Sequence, residues 1–101
     1  MRVVLTEQAI GDLLHIARFI RRDNPARAET FVAELEDRCT RLATAPLAYP
    51  LVPGRESSGI RRRPHRDYLI FYRVDAQAAV IEVLHVLNGA QDYDAILFPQ
   101  D

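Results

Sequence analysis

Hydrophobic residues recur at intervals of three and four positions through the first half of the chain, which is the spacing of an amphipathic helix. The first such stripe consists of Ile10, Leu13, Leu14, Ala17 and Ile20. It follows a short β-favouring run at residues 3–5 and then Thr6, a residue type that caps helix N-termini well. The pattern predicts a strand that leads directly into a helix of about sixteen residues.

A second helix is predicted to begin at Pro25, because Asn24 is a favourable N-cap and proline is well tolerated at the first helical position. Its apolar stripe consists of Ala28, Phe31, Val32, Leu35, Cys39 and Leu42. Pro46 ends the helical pattern. The two helices are therefore expected to form a helical hairpin with one apolar side.

After Gly59 the hydrophobic period changes from 3.6 to 2, which predicts strands at residues 60–63, 68–74 and 80–87. Pro64 interrupts the first of these strands or confines it to the edge of a sheet. A four-residue loop at residues 76–79 places Arg73 opposite Glu82, whereas a two-residue loop places it opposite Val80. Residues 92–98 form either one helical turn or an extended tail.

This order predicts an α+β fold, β-α-α-β-β-β, with the helical hairpin packed on a mainly antiparallel sheet in a single domain of residues 1–101. Residues 68, 70 and 72 point to one face of the sheet, and residues 69, 71 and 73 point to the other. Both faces carry apolar or aromatic side chains. We therefore expect a partner to cover the face that the helices leave free.

The charge is unevenly distributed along a chain whose net charge is only −1, which argues against a generally basic nucleic-acid binder. All 13 basic residues are arginines. Residues 55–66 hold five arginines and one acid, whereas residues 67–101 hold one arginine and six acids. Arginine pairs bidentately with carboxylates and phosphates, so an anionic or planar partner is expected. The alternative is a solvent-exposed edge strand whose charges prevent it from pairing with another chain, because such a strand has the same pattern.

Several classes of protein are disfavoured. No apolar run reaches the roughly 18 residues of a membrane span, and the N-terminus lacks a signal-peptide pattern, so a cytoplasmic protein without a membrane partner is expected. The three histidines are scattered and Cys39 is the single cysteine, so no metal site and no cofactor are expected. Neither a G-x-S-x-G motif nor a phosphate-binding glycine loop occurs.

One constellation has the chemistry of a metal-independent endoribonuclease, namely Arg61, Arg73, His85 and Tyr93. Such a reaction needs a base for the 2′-hydroxyl (His85 or Glu82), an acid for the leaving oxygen (Tyr93) and a guanidinium for the developing charge. A structural interpretation is simpler. In it His85 is a packed strand histidine, Glu82 pairs with Arg73, and Tyr93 lies at the edge of the core.

The order of the motifs resembles the ParE/RelE superfamily of toxins from bacterial type II toxin–antitoxin modules. The likeness extends over almost the whole chain. The segments that carry it are Val4-Leu5-Thr6 with Ala9, Asp12, Leu13 and Ile16; Asn24-Pro25 with Ala28 and Phe31; Leu42 with Pro46; Gly59-Ile60-Arg61; Tyr68-Leu69-Ile70-Phe71-Tyr72-Arg73-Val74; and Ile81 with Val83-Leu84-His85.

The resemblance implies a toxin held inactive by an antitoxin in a hetero-oligomer. RelE-like members cleave messenger RNA on the ribosome with the help of lysines, whereas ParE-like members poison DNA gyrase. Since lysine is absent, the chain is expected to be closer to ParE, to pair with a ParD-like antitoxin and to serve plasmid stabilisation. The alternatives are a ribosome-dependent mRNA endoribonuclease that uses the four residues above, and a non-toxic binding remnant of the same fold.

The resemblance also implies two contact surfaces. An acidic antitoxin segment that folds across the hairpin and sheet is expected to meet Arg61, Arg63, Arg66, Tyr68 and Tyr72. Toxicity in the ParE family is associated with the C-terminal part of the chain. The gyrase contact is therefore expected at Asp92, Tyr93, Ile96 and Phe98.

Overall fold

The helices and strands follow one another in the predicted order in the computed structural model, which describes residues 1–100. Their bounds are β1 (Arg2–Leu5), α1 (Glu7–Arg21), α2 (Pro25–Thr40), β2 (Ile60–His65), β3 (Tyr68–Asp75), β4 (Val80–Asn88) and α3 (Tyr93–Leu97). The predicted α+β class is confirmed. At the end of the chain the helical alternative is the correct one.

Both long helices begin at the predicted caps. The Thr6 hydroxyl accepts a hydrogen bond from the amide of Ala9 at 3.2 Å, and the Asn24 side chain accepts one from the amide of Arg27 at 3.0 Å. These bonds satisfy backbone donors that have no partner within the first turn of a helix. Short-range capping chemistry therefore determines where the helical hairpin starts.

The sheet is mixed, with strand order β1-β4-β3-β2. β1 runs parallel to β4, whereas β3 is antiparallel to both of its neighbours. β2 includes Pro64 and lies at an edge of the sheet, as that proline predicts. The loop between β3 and β4 has four residues, so Arg73 lies opposite Glu82 with a guanidinium–carboxylate distance of 3.7 Å.

The main core lies between the helical hairpin and one face of the sheet. Its largest fully buried side chains include Leu35, Leu42, Ile70, Tyr72 and Ile81. Two residues of the predicted α1 stripe lie outside this core, because Ile10 and Leu14 are about half exposed. The buried face of α1 contains Ala9 and Ile16 in their place, so it is rotated relative to the predicted stripe.

The opposite face of the sheet is covered by the chain itself. Phe71 and Leu87 of the sheet are buried there together with Val52 and Ile60. Side chains of the C-terminal segment pack over this second cluster, among them Tyr93, Leu97 and Phe98. Much of the face that the helices leave free is therefore covered by Val52 and the C-terminal segment of the same chain, so its apolar residues do not require a partner protein.

Candidate functional site

Arg61 and Arg63 project from β2 toward the helical side of the sheet, where each donates a hydrogen bond to a backbone carbonyl oxygen. Nη1 of Arg61 donates to the carbonyl oxygen of Tyr49 at 2.8 Å, and Nη1 of Arg63 donates to that of Arg38 at 3.0 Å. The Arg63 guanidinium also lies 4.9 Å from the centre of the Tyr49 ring. These bonds use one nitrogen of each guanidinium, so further N–H donors remain for an external carboxylate.

Arg66 and Tyr68 lie at the turn between β2 and β3, next to the end of α1. Arg66 is exposed and adopts a left-handed backbone conformation with φ of 56°. The Tyr68 ring is half-buried against Phe31, with 5.5 Å between ring centres. The two residues thus flank the surface between the helical hairpin and the sheet.

Two adjoining grooves, of about 450 and 340 Å³, run along this surface and share Phe19, Tyr68 and Asn88. Phe19 is 59% exposed, which is unusual for so large an apolar side chain. We name the surface formed by Phe19, Arg66, Tyr68 and Asn88 the hairpin groove. Arg27 and Arg66 line the smaller groove together with Asp67, so this part of the surface carries two positive charges and one negative charge.

Phe19 is a residue that the periodicity of α1 did not single out. It lies four residues after His15, on the side of the helix opposite to the apolar stripe. A lone aromatic residue among polar ones on an amphipathic helix was the signal that could have identified it.

The structure corrects the expected role of Tyr72, since its side chain is fully buried. Its hydroxyl donates to the carbonyl oxygen of Pro46 at 2.7 Å, and burial raises the pKa of the hydroxyl above its usual range. Tyr72 therefore joins β3 to the segment after α2. It presents no surface to an antitoxin.

Only part of the predicted C-terminal contact is accessible. Asp92 is exposed and caps α3 by accepting from the amide of Ala95 at 3.4 Å, and Ile96 is 40% exposed. Tyr93 instead packs on Phe71, with 5.1 Å between ring centres, and Phe98 packs into the same cluster. Asp92 and Ile96 form the outer side of the segment, whereas the two aromatic residues hold it to the sheet.

The four residues of the alternative ribonuclease set do not converge. Arg61 shares the helix-facing side with Tyr72, whereas Arg73 shares the opposite face with Phe71. The Tyr93 hydroxyl accepts from Nη1 of Arg62 at 2.7 Å. His85 is bonded through Nδ1 to Asp12 of α1 at 2.8 Å.

A second ionic network joins α2 to the edge strand β2. Glu34 accepts hydrogen bonds from Nη1 of Arg27 and from Nε2 of His65, the latter at 2.9 Å. The Arg27 bond first, and then the His65 bond, lower the pKa of Glu34 from 4.5 to about 2. The network lies beside Phe31 at the base of the hairpin groove.

Replacing Glu34 with glutamine is expected to destabilise the protein at neutral pH, with a smaller effect in acid. Because the folded-state pKa of Glu34 lies below its unfolded-state value, ionised Glu34 stabilises the fold above about pH 4.5, and this contribution disappears as the pH falls toward about 2. Melting temperatures of the wild type and Glu34→Gln should therefore converge over that range. Glu29→Gln, at an exposed position of the same helix, should give no such convergence.

Within residues 1–100, no three side chains of histidine, cysteine, aspartate or glutamate are grouped closely enough to bind a metal ion. The same part of the chain contains no helix of sufficient length and hydrophobicity to cross a membrane. The hairpin groove and the outer side of α3 present arginine, carboxylate and exposed apolar side chains. These groups are suited to recognising another protein.

Comparisons with known proteins agree with this fold. The chromosomal ParDE toxin–antitoxin system from P. aeruginosa is similar at 19% identity and a TM-score of 0.75, over 87% of this chain and 95% of that one. The RelBE2 toxin–antitoxin complex from Mycobacterium tuberculosis is similar at 22% identity and a TM-score of 0.65, over 86% and 95% of the two chains. At these identities the likeness shows the fold.

The sequence matches none of the curated proteins with which it was compared. A family model described as the ParE toxin of the type II toxin–antitoxin system, parDE, matches residues 3–93. That match spans most of the chain, from β1 to the first residue of α3. The chain therefore belongs to the family of ParE toxins of type II toxin–antitoxin systems.

Proposed function

We propose that this toxin inhibits DNA gyrase and is neutralised by a ParD-like antitoxin. The observation that carries the proposal is the ParE family match over residues 3–93. In this proposal the protein acts by binding a larger enzyme. It performs no chemical step of its own.

The arrangement of the alternative ribonuclease residues supports a binding protein over an enzyme. A general base and a general acid must both lie within hydrogen-bond reach of one substrate. His85 is instead bonded to α1, and Tyr93 lies on the sheet face opposite to Arg61. We therefore do not propose an endoribonuclease.

The target contact is assigned to the outer side of α3, where Asp92 and Ile96 face solvent. An exposed isoleucine next to a carboxylate is suited to a protein contact, whereas the acids of residues 92 and 94 would repel DNA. The short helix rests on the buried second cluster. Its position is thus set by the sheet beneath it.

The antitoxin contact is assigned to the hairpin groove together with the free N–H donors of Arg61 and Arg63. The groove offers the apolar surface of Phe19 and Tyr68, and Arg66 adds a positive charge beside them. An antitoxin segment with apolar anchors and flanking acids would complement both features. The part of this surface at Phe19 and Arg66 lies on the helix side of the sheet, whereas Ile96 lies on α3 on the other side, and the larger groove extends only to Ala90 and Gln91 before α3.

Supercoiling assays with purified gyrase test the proposal directly. We expect the toxin to inhibit supercoiling and to cause double-strand breaks in cells, and we expect the antitoxin encoded by the neighbouring reading frame to reverse both effects. Messenger RNA should remain intact. Rapid, ribosome-dependent loss of transcripts with unaffected gyrase would contradict the proposal, and the absence of any growth defect on induction would indicate the non-toxic remnant.

A further inference from the structure

Arg55, which lies outside the predicted contact surfaces, connects the C-terminal helix to the rest of the fold through two contacts. Nε and Nη2 of Arg55 donate to the two carboxylate oxygens of Asp94 at 3.0 and 2.8 Å. The same guanidinium lies 4.6 Å from the centre of the Phe98 ring. Arg55 thus makes a bidentate ion pair and a cation–π contact, one near each end of α3.

The α3 helix depends on such contacts because it has only five residues. Helices of that length are not stable by themselves in water, since few hydrogen bonds offset the cost of ordering the first turn. Apolar packing of Tyr93, Leu97 and Phe98 supplies part of the support. The Arg62–Tyr93 hydrogen bond and the two contacts of Arg55 supply the polar part.

The backbone of Arg55 is itself well anchored. Its amide donates to the carbonyl oxygen of Val52 at 3.0 Å, and its carbonyl oxygen accepts from the Ser58 hydroxyl at 2.6 Å and from the Ser58 amide at 3.0 Å. Val52 belongs to the buried second cluster. The guanidinium therefore extends from a fixed point next to the sheet and not from a loose loop.

We propose that Arg55 is a positioning residue that fixes α3 in the orientation in which Asp92 and Ile96 meet the target. This inference rests on the proposed function, and it adds that binding of the target and binding of the antitoxin have separate determinants. Arg55 acts on the α3 side of the sheet, whereas the hairpin groove lies on the helix side. Loosening α3 is therefore expected to reduce target inhibition and to leave antitoxin affinity unchanged.

The geometry requires arginine specifically. A lysine at position 55 keeps the charge, but its single ammonium cannot donate to both carboxylate oxygens in a planar fork while lying over an aromatic ring. Arg55→Lys is therefore expected to have an intermediate effect. Arg55→Gln removes both contacts.

Hydrogen–deuterium exchange and gyrase inhibition measured on the same full-length variants test the inference. In Arg55→Gln the amides of Ala95 and Phe98 should exchange faster by on the order of threefold to tenfold, while those of the main core remain protected. The toxin concentration that gives half-maximal inhibition should rise as the reciprocal of the docked fraction of α3, because only the docked helix binds productively, so inhibition weakens less than exchange accelerates while α3 stays mostly docked. Asp94→Asn should also speed the exchange of the α3 amides and weaken inhibition. Because the two residues form one ion pair, the double variant with Arg55→Gln should show less than the sum of the two single effects.

Arg41→Gln is the matched control. It removes an exposed arginine from an ion pair with Asp37 in the region that follows α2, far along the chain from α3. It should change neither the exchange of α3 nor the inhibition of gyrase. Unchanged exchange of α3 in Arg55→Gln would overturn the inference, and so would unchanged inhibition by the double variant once its α3 amides exchange at the rate of an unprotected chain. If the wild type itself does not inhibit gyrase, the proposed function fails. Hydrogen–deuterium exchange alone then decides whether Arg55 is a positioning residue for α3.

Discussion

Replacing Asp12 with alanine is expected to lower the free energy of unfolding by about 2–4 kcal/mol, a large fraction of the stability of a domain of this size. One carboxylate oxygen of Asp12 accepts from the amide of Val86 and from Nδ1 of His85, both at 2.8 Å. β1 ends opposite Val83, so the following part of β4 has no neighbouring strand on that side. Asp12 takes the place of the missing strand, and alanine would leave the buried amide of Val86 without a partner.

Urea denaturation of Asp12→Ala measures this loss as a lower midpoint. Asp75→Ala is a suitable control, because Asp75 also accepts from a backbone amide, that of Ala78 at 3.1 Å, but does so in an exposed loop. Its cost should stay below about 1 kcal/mol, as for most surface substitutions. Equal losses in the two variants would show that Asp12 does not anchor α1 to β4.

The role of Asp12 illustrates which features the sequence could predict. Thr6 and Asn24 cap the two long helices as expected, since a cap depends only on residues within one turn. The edge position of β2 likewise follows from the missing donor of Pro64. Asp12, by contrast, belongs to the residues that carry the family resemblance, but its structural role could not be predicted because its partners are more than 70 residues away in the sequence.

The same limit explains the corrections on the sheet. Alternation along β3 correctly places Tyr72 and Phe71 on opposite faces, but it does not indicate what covers each face. The structure uses α3 for one face and buries Tyr72 beneath the segment at Pro46 on the other. Arg61 remains part of the proposed antitoxin contact, but its bond to the carbonyl oxygen of Tyr49 could not be predicted from the alternation of β2. The period of the hydrophobic residues predicts which face of a strand is buried. Which segment of the chain covers that face depends on the tertiary fold.

Replacing Phe19 with alanine is expected to weaken binding of the proposed antitoxin by about 2 kcal/mol, roughly thirtyfold in the dissociation constant. Aromatic side chains at the centre of a binding groove contribute disproportionately to affinity, because they bury a large apolar area. Phe19 belongs to both parts of the hairpin groove and is 59% exposed in the free toxin. Its contribution to the core is correspondingly small, and alanine preserves the helical propensity of α1. Isothermal titration of the purified antitoxin into each toxin variant measures the difference.

Leu47→Ala is the control that shows whether the loss of affinity in Phe19→Ala comes from the hairpin groove or from the removal of any exposed apolar side chain. Leu47 is 64% exposed but lies in the loop after α2, outside both grooves. Its removal should change the antitoxin affinity by less than about 0.5 kcal/mol, because isolated exposed apolar residues are common on protein surfaces and carry no binding role by themselves. Gyrase inhibition by Phe19→Ala should match that of the wild type, because α3 lies on the other side of the sheet. Equal antitoxin affinities of Phe19→Ala and Leu47→Ala would place the antitoxin contact away from the hairpin groove. A loss of affinity confined to Phe19→Ala would locate the contact in that groove, next to Arg66.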